Sequence, residues 1–176
     1  MVVSEIRLPV PSIRTPVPQP SRRMDGGVLA GVRLDTCGTA VRVCGTSNLI
    51  SDTTIAGCDR VGIDIMPGAQ LRLVTSELAD VGTGIDVGAG DLDACEIMVT
   101  GATDGLRLGA GTAALFRARI RQCRRAGVFV EGRRATLRCN ASPWEPGLTL
   151  SDNGTDILDA RGPDAPRLLL AGVVHA

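Results

Sequence analysis

The segment Gly62-Ile-Asp-Ile65 returns 22 residues later as Gly84-Ile-Asp-Val87. The same pattern, a small residue followed by apolar, variable and apolar positions, occurs in six segments: Ala40-Val-Arg-Val43, Gly62-Ile-Asp-Ile65, Gly84-Ile-Asp-Val87, Gly105-Leu-Arg-Leu108, Gly127-Val-Phe-Val130 and Gly147-Leu-Thr-Leu150. Their first apolar positions are 22, 22, 21, 22 and 20 residues apart. Repetition at this period is typical of a solenoid, in which each repeat packs against its neighbours.

Each repeat predicts three short strands. The opening alternates apolar and variable residues, as a strand with one buried face does. A second strand is predicted at Leu71/Leu73, Leu92/Ala94, Ala113/Leu115 and Ala135/Leu137. A third strand places one inward column at Ile55, Leu78, Val99 and Ile120. Glycine-containing corners such as Gly88-Ala-Gly90 separate the strands. The sequence therefore predicts an all-β fold, a right-handed parallel β-helix of about six coils.

The repeated openings, together with Thr53-Thr-Ile-Ala-Gly57 before the next opening, resemble the pectate-lyase-like superfamily of right-handed β-helix proteins. The resemblance implies the fold and leaves the function open, because that superfamily contains lyases, hydrolases, epimerases and proteins without enzymatic activity.

The repeats divide the chain into three parts. Residues 1–25 contain five prolines and predict an extended or disordered tail. Residues 26–160 hold the predicted β-helix, and residues 161–176 are predicted to form a C-terminal cap or tail. The segment Leu168-Leu-Leu-Ala-Gly-Val-Val174 is apolar enough to cover an open end of the solenoid.

Composition excludes some functions. Formal net charge is zero, so no global field attracts nucleic acid or a membrane. All 19 basic residues are arginine and tyrosine is absent, a bias typical of a GC-rich genome, so arginine content is not by itself a functional signal. No segment is apolar over the length needed to span a membrane, and we expect no membrane partner.

The six cysteines stand at positions 37, 44, 58, 95, 123 and 139, without a C-x-x-C motif or a neighbouring histidine. We therefore expect no metal site of the zinc type. The start of the chain has no secretory signal, which favours buried reduced thiols and a cytoplasmic location. The single histidine, His175, is expected at a frayed terminus.

The variable position of each opening points away from the core. Stacking predicts an exposed column formed by Arg42, Asp64, Asp86, Arg107, Phe129 and Thr149. Asp64, Asp86 and Arg107 are the candidate catalytic residues, because two carboxylates ~4.8 Å apart can share a proton or act as an acid/base pair on a glycoside. The resemblance implies that Ca²⁺ could bind the acidic residues and that the arginine could assist proton abstraction; otherwise no cofactor is expected. The same three residues also fit an ordinary charge ladder.

Charge is separated along the chain. Residues 52–104 hold ten acidic residues and two arginines, whereas residues 105–139 hold nine arginines and one glutamate. In a solenoid, sequence order is spatial order, so this predicts a dipole along the axis. The candidate binding residues for an acidic polymer, either nucleic acid or an anionic glycan, are Arg117, Arg119, Arg121, Arg124, Arg125, Arg133 and Arg134.

Two classes of function follow from these patterns. The first is a non-enzymatic scaffold for assembly or binding, with self-association through the solenoid ends or the charge dipole. The alternative is a small carbohydrate-active enzyme, a polysaccharide lyase, epimerase or hydrolase, that uses the Asp64, Asp86 and Arg107 column. An isomerase or cyclase that acts on a small molecule against the same sheet is a further alternative within the enzyme class.

Overall fold

The structure, a computed structural model, describes residues 22–142, 144–162, 168 and 170–176. These residues contain strands and connections without a helix. The strands are β1 (Arg22–Ala30), β2 (Arg33–Asp35), β3 (Thr39–Ser51), β4 (Thr54–Ala56), β5 (Val61–Ile65), β6 (Gln70–Val74), β7 (Glu77–Ala79), β8 (Thr83–Val87), β9 (Asp91–Cys95), β10 (Met98–Thr100), β11 (Asp104–Leu108), β12 (Thr112–Phe116), β13 (Ala118–Arg121), β14 (Ala126–Val130), β15 (Thr136–Cys139), β16 (Leu148–Ser151), β17 (Thr155–Asp159) and β18 (Val173–His175).

The strands form three faces, and all named pairs run parallel. The first face contains the start of β3, then β5, β8, β11, β14 and β17. The second contains the end of β3, then β6, β9, β12 and β15, and the long strands β1 and β3 join it to the first. The third contains β2, β4, β7, β10, β13, β16 and β18. Its seven strands correspond to seven turns, which confirms the predicted parallel β-solenoid and adds one turn, formed by β1 and β2.

Two apolar columns fill the interior as the sequence predicts. Consecutive register partners on the first face are Ile63, Ile85, Leu106 and Val128, and on the third face Ile55, Leu78, Val99 and Ile120. None of these side chains is more than 1% exposed. Burial of a large aliphatic side chain contributes roughly 1.5–3 kcal/mol relative to leaving it in water. Each turn thus repeats the packing of the turn before it.

The register of the last second-face strand differs from the prediction. Leu137 pairs with Ala113, and Cys139 pairs with Leu115. The predicted pairing of Ala135 with Ala113 is therefore wrong by two residues, because Ala135 lies in the corner, where its N–H bonds to the carbonyl of Gly132.

The unit Gly147-Leu-Thr-Leu150 also lies on a different face from the predicted one. Its strand, β16, belongs to the third face, where Leu150 pairs with Ile120. The first face continues instead with β17, in which Leu158 pairs with Phe129. An excursion after β15, closed by a bridge between Ser142 and Glu145, lengthens this turn.

Single residues with positive φ make two of the three corners. Between the second and third faces these residues are Gly31, Asp52, Thr75, Glu96 and Arg117, and between the third and first faces they are Thr36, Gly57, Asp80, Gly101, Gln122 and Asp152. Within both sets, most backbone N–H groups donate to a carbonyl on the next turn; the N–H of Asp80, for example, bonds to the oxygen of Thr100. One left-handed residue turns the chain sharply, so these corners add little bulk beside the faces.

Glycine at the start of the openings is required by the distance between turns. A Cβ on Gly62 would lie 2.7 Å from the carbonyl oxygen of Gly84, and a Cβ on Gly84 would collide with the carbonyl oxygen of Gly105. Neither residue has a positive φ. The repeated glycine therefore keeps successive backbones at hydrogen-bonding distance.

The cysteine prediction is wrong for one pair. Cys37 and Cys58 form a disulfide, with their Cα atoms 4.5 Å apart at the same corner of successive turns. Cys123 and Cys139 are buried free thiols, and burial raises the pKa of each to about 11. The cytoplasmic location is inferred in part from reduced thiols. Since one pair of cysteines forms a disulfide, that location stays a prediction.

The ends of the chain are described in part. Strand β1 begins at Arg22, four residues before the predicted start of the solenoid, whereas residues 1–21, 163–167 and 169 lie outside the described residues. His175 does not fray: it lies in β18, and its Nδ1 is 2.6 Å from Oδ2 of Asp156. A hydrogen bond from Asn153, together with this contact with His175, lowers the pKa of Asp156.

We expect Gly84→Ala to lower the free energy of unfolding by about 1–3 kcal/mol, because a fixed backbone oxygen of the next turn occupies the position of the new methyl group. Chemical denaturation would measure the loss. Gly38→Ala is the matched control, since the nearest atom to its Cβ is Cδ of Arg60 at 4.0 Å. Equal stability losses in both variants would contradict this explanation.

Candidate functional site

The candidate catalytic residues lie side by side on the first face. Asp64 is the register partner of Asp86, and Asp86 that of Arg107. Arg42 precedes them and Phe129 follows them in the same outward column. The predicted last member, Thr149, is on the third face opposite Arg119, because the strand that holds it is β16.

Each carboxylate of the column contacts an arginine. Nε of Arg42 donates to Oδ2 of Asp64 at 2.9 Å, and Nη1 of Arg107 lies 3.4 Å from Oδ2 of Asp86. Arg107 also contacts Glu131, with Nη2 2.8 Å from Oε1. The side chains of Asp64 and Asp86 are 21% and 22% exposed, so both remain accessible from solvent.

Glu131 is a member of this ion-pair network that sequence reasoning missed. It directly follows β14, and its contact with Arg107 joins adjacent turns. One feature of the sequence could have identified Glu131: it is the only acidic residue between positions 105 and 139.

The surroundings of Asp86 favour its protonated form. Burial raises its pKa, Arg107 opposes that shift, and the negative charge of Asp64 adds to it. Burial and a neighbouring carboxylate both disfavour the charged form. The arrangement therefore places a carboxyl group with a raised pKa beside a second carboxyl group that is bound to Arg42.

These carboxylates do not fit a Ca²⁺ site. Calcium takes six to eight oxygen ligands, whereas Asp64 and Asp86 each contact a guanidinium group. Within the described part of the chain, no three His, Cys, Asp or Glu side chains lie together in an arrangement that could hold a metal ion.

Two of the seven candidate binding arginines are held in ion pairs. Arg125 forms hydrogen bonds with the buried carboxylate of Asp104, and its guanidinium carbon lies 4.3 Å from the ring centroid of Phe129. Arg117 contacts Glu96 and Glu145 on the turns to either side. Their charges thus stabilise the solenoid and are partly neutralised.

The other five arginines are exposed and form no ion pair with the residues that the structure describes. Arg119 and Arg121 lie on the third face, and Arg124 lies at the corner that follows it. Arg133 and Arg134 lie at the corner between the first and second faces. The seven predicted residues therefore spread around the solenoid, and the structure does not bring them together in one patch.

A shallow, open pocket of about 400 Å³ lies on the second face, where the sequence predicted no site. Arg72, Asp91 and Asp93 are among its lining residues. Its edge includes the buried Asn48, whose amide donates to the carbonyls of Cys44, Gly45 and Gln70 and whose Oδ1 accepts from the N–H of Gly26. Both the nitrogen and the oxygen of the Asn48 side chain therefore bond to backbone groups, where β3 bends between the first and second faces.

Comparison with known proteins gives no family for the chain: no protein-family model matches it, and no curated protein does. The parallel β-solenoid is therefore shown by the structure alone, and the likeness to the pectate-lyase-like superfamily stays an inference from the repeats. The described residues contain no helix that is long and apolar enough to cross a membrane.

We expect Asp86→Asn to stabilise the fold at pH 7 and to raise its Tm. The raised pKa means that the folded state binds the proton more tightly than the unfolded state does. Ionisation of Asp86 therefore costs stability as pH rises from the ordinary value through the raised one, and asparagine removes that cost. Thermal unfolding from pH 3 to pH 7 would show the gain disappear at the acidic end.

Asp64→Asn is the control for this measurement, because it removes the partner of Arg42 and should give no stabilisation. A loss of stability in Asp86→Asn at pH 7 would show that the contact with Arg107 outweighs the cost of burial.

Proposed function

We propose that this protein is a non-enzymatic β-solenoid that acts as a scaffold for assembly or binding. The observation that carries the proposal is the separation of charge along a stack of turns. Residues 52–104 contribute a net charge of −8 (ten acidic residues, two arginines), and residues 105–139 contribute +8 (nine arginines, one glutamate). A second copy in the opposite orientation would place unlike segments beside each other.

The open edges of the solenoid also support assembly. Within the described residues, β1 pairs with β3 alone at one end, and β15, β17 and β18 each pair with a single strand at the other. Unpaired strand edges offer backbone N–H and C=O groups to another chain. Self-association through the charge dipole should depend strongly on salt, because salt screens the attraction between charges. Self-association through the strand edges at the ends should depend on salt much less.

We expect the full chain to self-associate at about 50 mM NaCl and to dissociate toward a monomer near 1 M, where the Debye length falls to about 3 Å. Size-exclusion chromatography with light scattering would measure the mass against the 18.3 kDa of one chain. Oligomers that persist at high salt would favour the ends over the dipole. A monomer at every salt concentration would contradict assembly.

A carbohydrate-active enzyme is the second candidate, and the raised pKa of Asp86 beside Asp64 favours it. A carboxyl group whose pKa is raised by burial suits general acid catalysis, with the neighbouring carboxylate as its partner. In this candidate Arg107 binds a substrate carboxylate in exchange for its contacts with Asp86 and Glu131. The resemblance to pectate-lyase-like proteins agrees with an acidic polysaccharide as substrate.

This second candidate predicts turnover of an acidic polysaccharide that Asp86→Asn lowers by about 10²–10⁴-fold, because the acid group is lost. Reducing-end and unsaturated-product assays would measure turnover, and circular dichroism would confirm folding. Asp93→Asn, on the second face, is the control and should keep full activity. Unchanged turnover in Asp86→Asn would remove the candidate.

A further inference from the structure

The third face carries charges that its own chain leaves unpaired. Glu77 and Arg119 are both register partners of Met98, one on each side. Their backbones therefore lie two strand spacings apart, about 9.6 Å, with Met98 between them, and their side chains form no ion pair with each other. Both side chains are exposed, and neither has an ion-pair partner among the described residues.

A second set of charges repeats this arrangement. Ala79 and Arg121 flank Thr100 in the neighbouring outward column, and Asp80 directly follows Ala79 at the corner. Asp80 and Arg121 are exposed and form no ion pair within the described part of the chain; Arg121 contacts only the hydroxyl of Thr100, at 3.4 Å. The acidic pair thus lies on one side of β10 and the basic pair on the other.

This pattern is self-complementary. A two-fold axis along β10 keeps the columns opposite themselves and reverses the order of the turns. It places Glu77 of one copy opposite Arg119 of the other, and Arg121 opposite Ala79 and within reach of Asp80. The axis lies between the two copies, parallel to β10, so that the uncharged and half-buried Met98 and Thr100 of each copy face those of the other.

We propose that the third face is a symmetric dimer interface in which two copies of this chain pack antiparallel across β7, β10 and β13. The proposal rests on the assembly function above and names both its partner and its surface. The first face does not offer such pairs, since Arg42 with Asp64 and Arg107 with Asp86 are already satisfied within one chain.

The dimer is expected to be weak and sensitive to salt. Strands of three residues make a face about 10 Å wide, and seven turns make it about 34 Å long. The resulting area, roughly 340 Å² per copy, is below the ~800 Å² of a standard interface. Four intermolecular ion pairs around an uncharged centre therefore dominate recognition, and screening weakens them.

Charge exchange tests the interface. At about 50 mM NaCl, Glu77→Arg should raise the dimer Kd at least about tenfold, because two arginines then face each other at each contact, and Arg119→Glu should do the same with two glutamates. The chain that carries both substitutions should dimerise again. An equimolar mixture of the two single variants should form a heterodimer, since each arginine of one then faces a glutamate of the other. Sedimentation velocity would measure each species.

Matched controls change the same charges on the second face. Asp93→Arg alters net charge as Glu77→Arg does, and Arg138→Glu as Arg119→Glu does, yet both exposed positions lie away from β10. These controls should dimerise like the parent chain, and thermal unfolding would verify that all variants fold.

The outcomes separate the interface from the broader function. Salt-sensitive dimers that are unaffected by Glu77→Arg and Arg119→Glu, or that the double substitution fails to restore, would overturn this interface and leave the assembly function standing. A parent chain that stays monomeric at every concentration and salt would overturn both.

Discussion

The parallel hydrogen-bond ladder between successive turns is the constraint on which the rest of the structure depends. It holds neighbouring backbones about 4.8 Å apart, so a residue at a given position meets the same position of the next turn. Where the chain passes closest to the next turn, at Gly62 and Gly84, this spacing leaves no room for a Cβ. Where the side chains point inward, as at Ile63 and Ile85, it demands aliphatic residues of similar size.

The same spacing decides which charges neutralise each other. Opposite charges on adjacent turns are in contact distance, and Arg42 with Asp64 and Arg107 with Asp86 form ion pairs. Charges two turns apart are separated by about one Debye length at 0.1 M salt, so an exposed pair at that distance interacts weakly. Glu77 and Arg119 are such a pair. The first face therefore has charges that are neutralised within the chain, whereas the third face, over the residues that the structure describes, has unpaired charges that can bind a partner.

Repetition made most of the fold predictable. The period of the repeat shows which residues stack on successive turns, and the alternation shows which of them point inward. Together they place the two inner columns and bring Asp64 beside Asp86. Alternation alone does not say on which face a strand lies, however. Gly147-Leu-Thr-Leu150 has the pattern of a first-face opening, but the excursion after β15 shifts it to the third face.

Two features that sequence reasoning missed have different causes. Cys37 and Cys58 are 21 residues apart, one repeat, and stacking alone would have placed them together. The prediction of reduced thiols rests instead on the lack of a secretory signal, which does not use the repeat. Glu131, in contrast, lies outside the repeated positions, and only its contact with Arg107 connects it to the column.

Flat faces limit the kinds of partner that the solenoid fits. Small-molecule sites are usually concave and enclose most of their ligand. Here, single left-handed residues such as Asp80 and Glu96 form two of the corners and add little height beside the strands. A flat face is best matched by another flat face, and a second solenoid has the same 4.8 Å spacing between its turns. Charges placed at multiples of that spacing can therefore meet opposite charges on a second copy without any rearrangement. For this reason the unpaired charges of the third face favour self-association over enclosure of a small substrate.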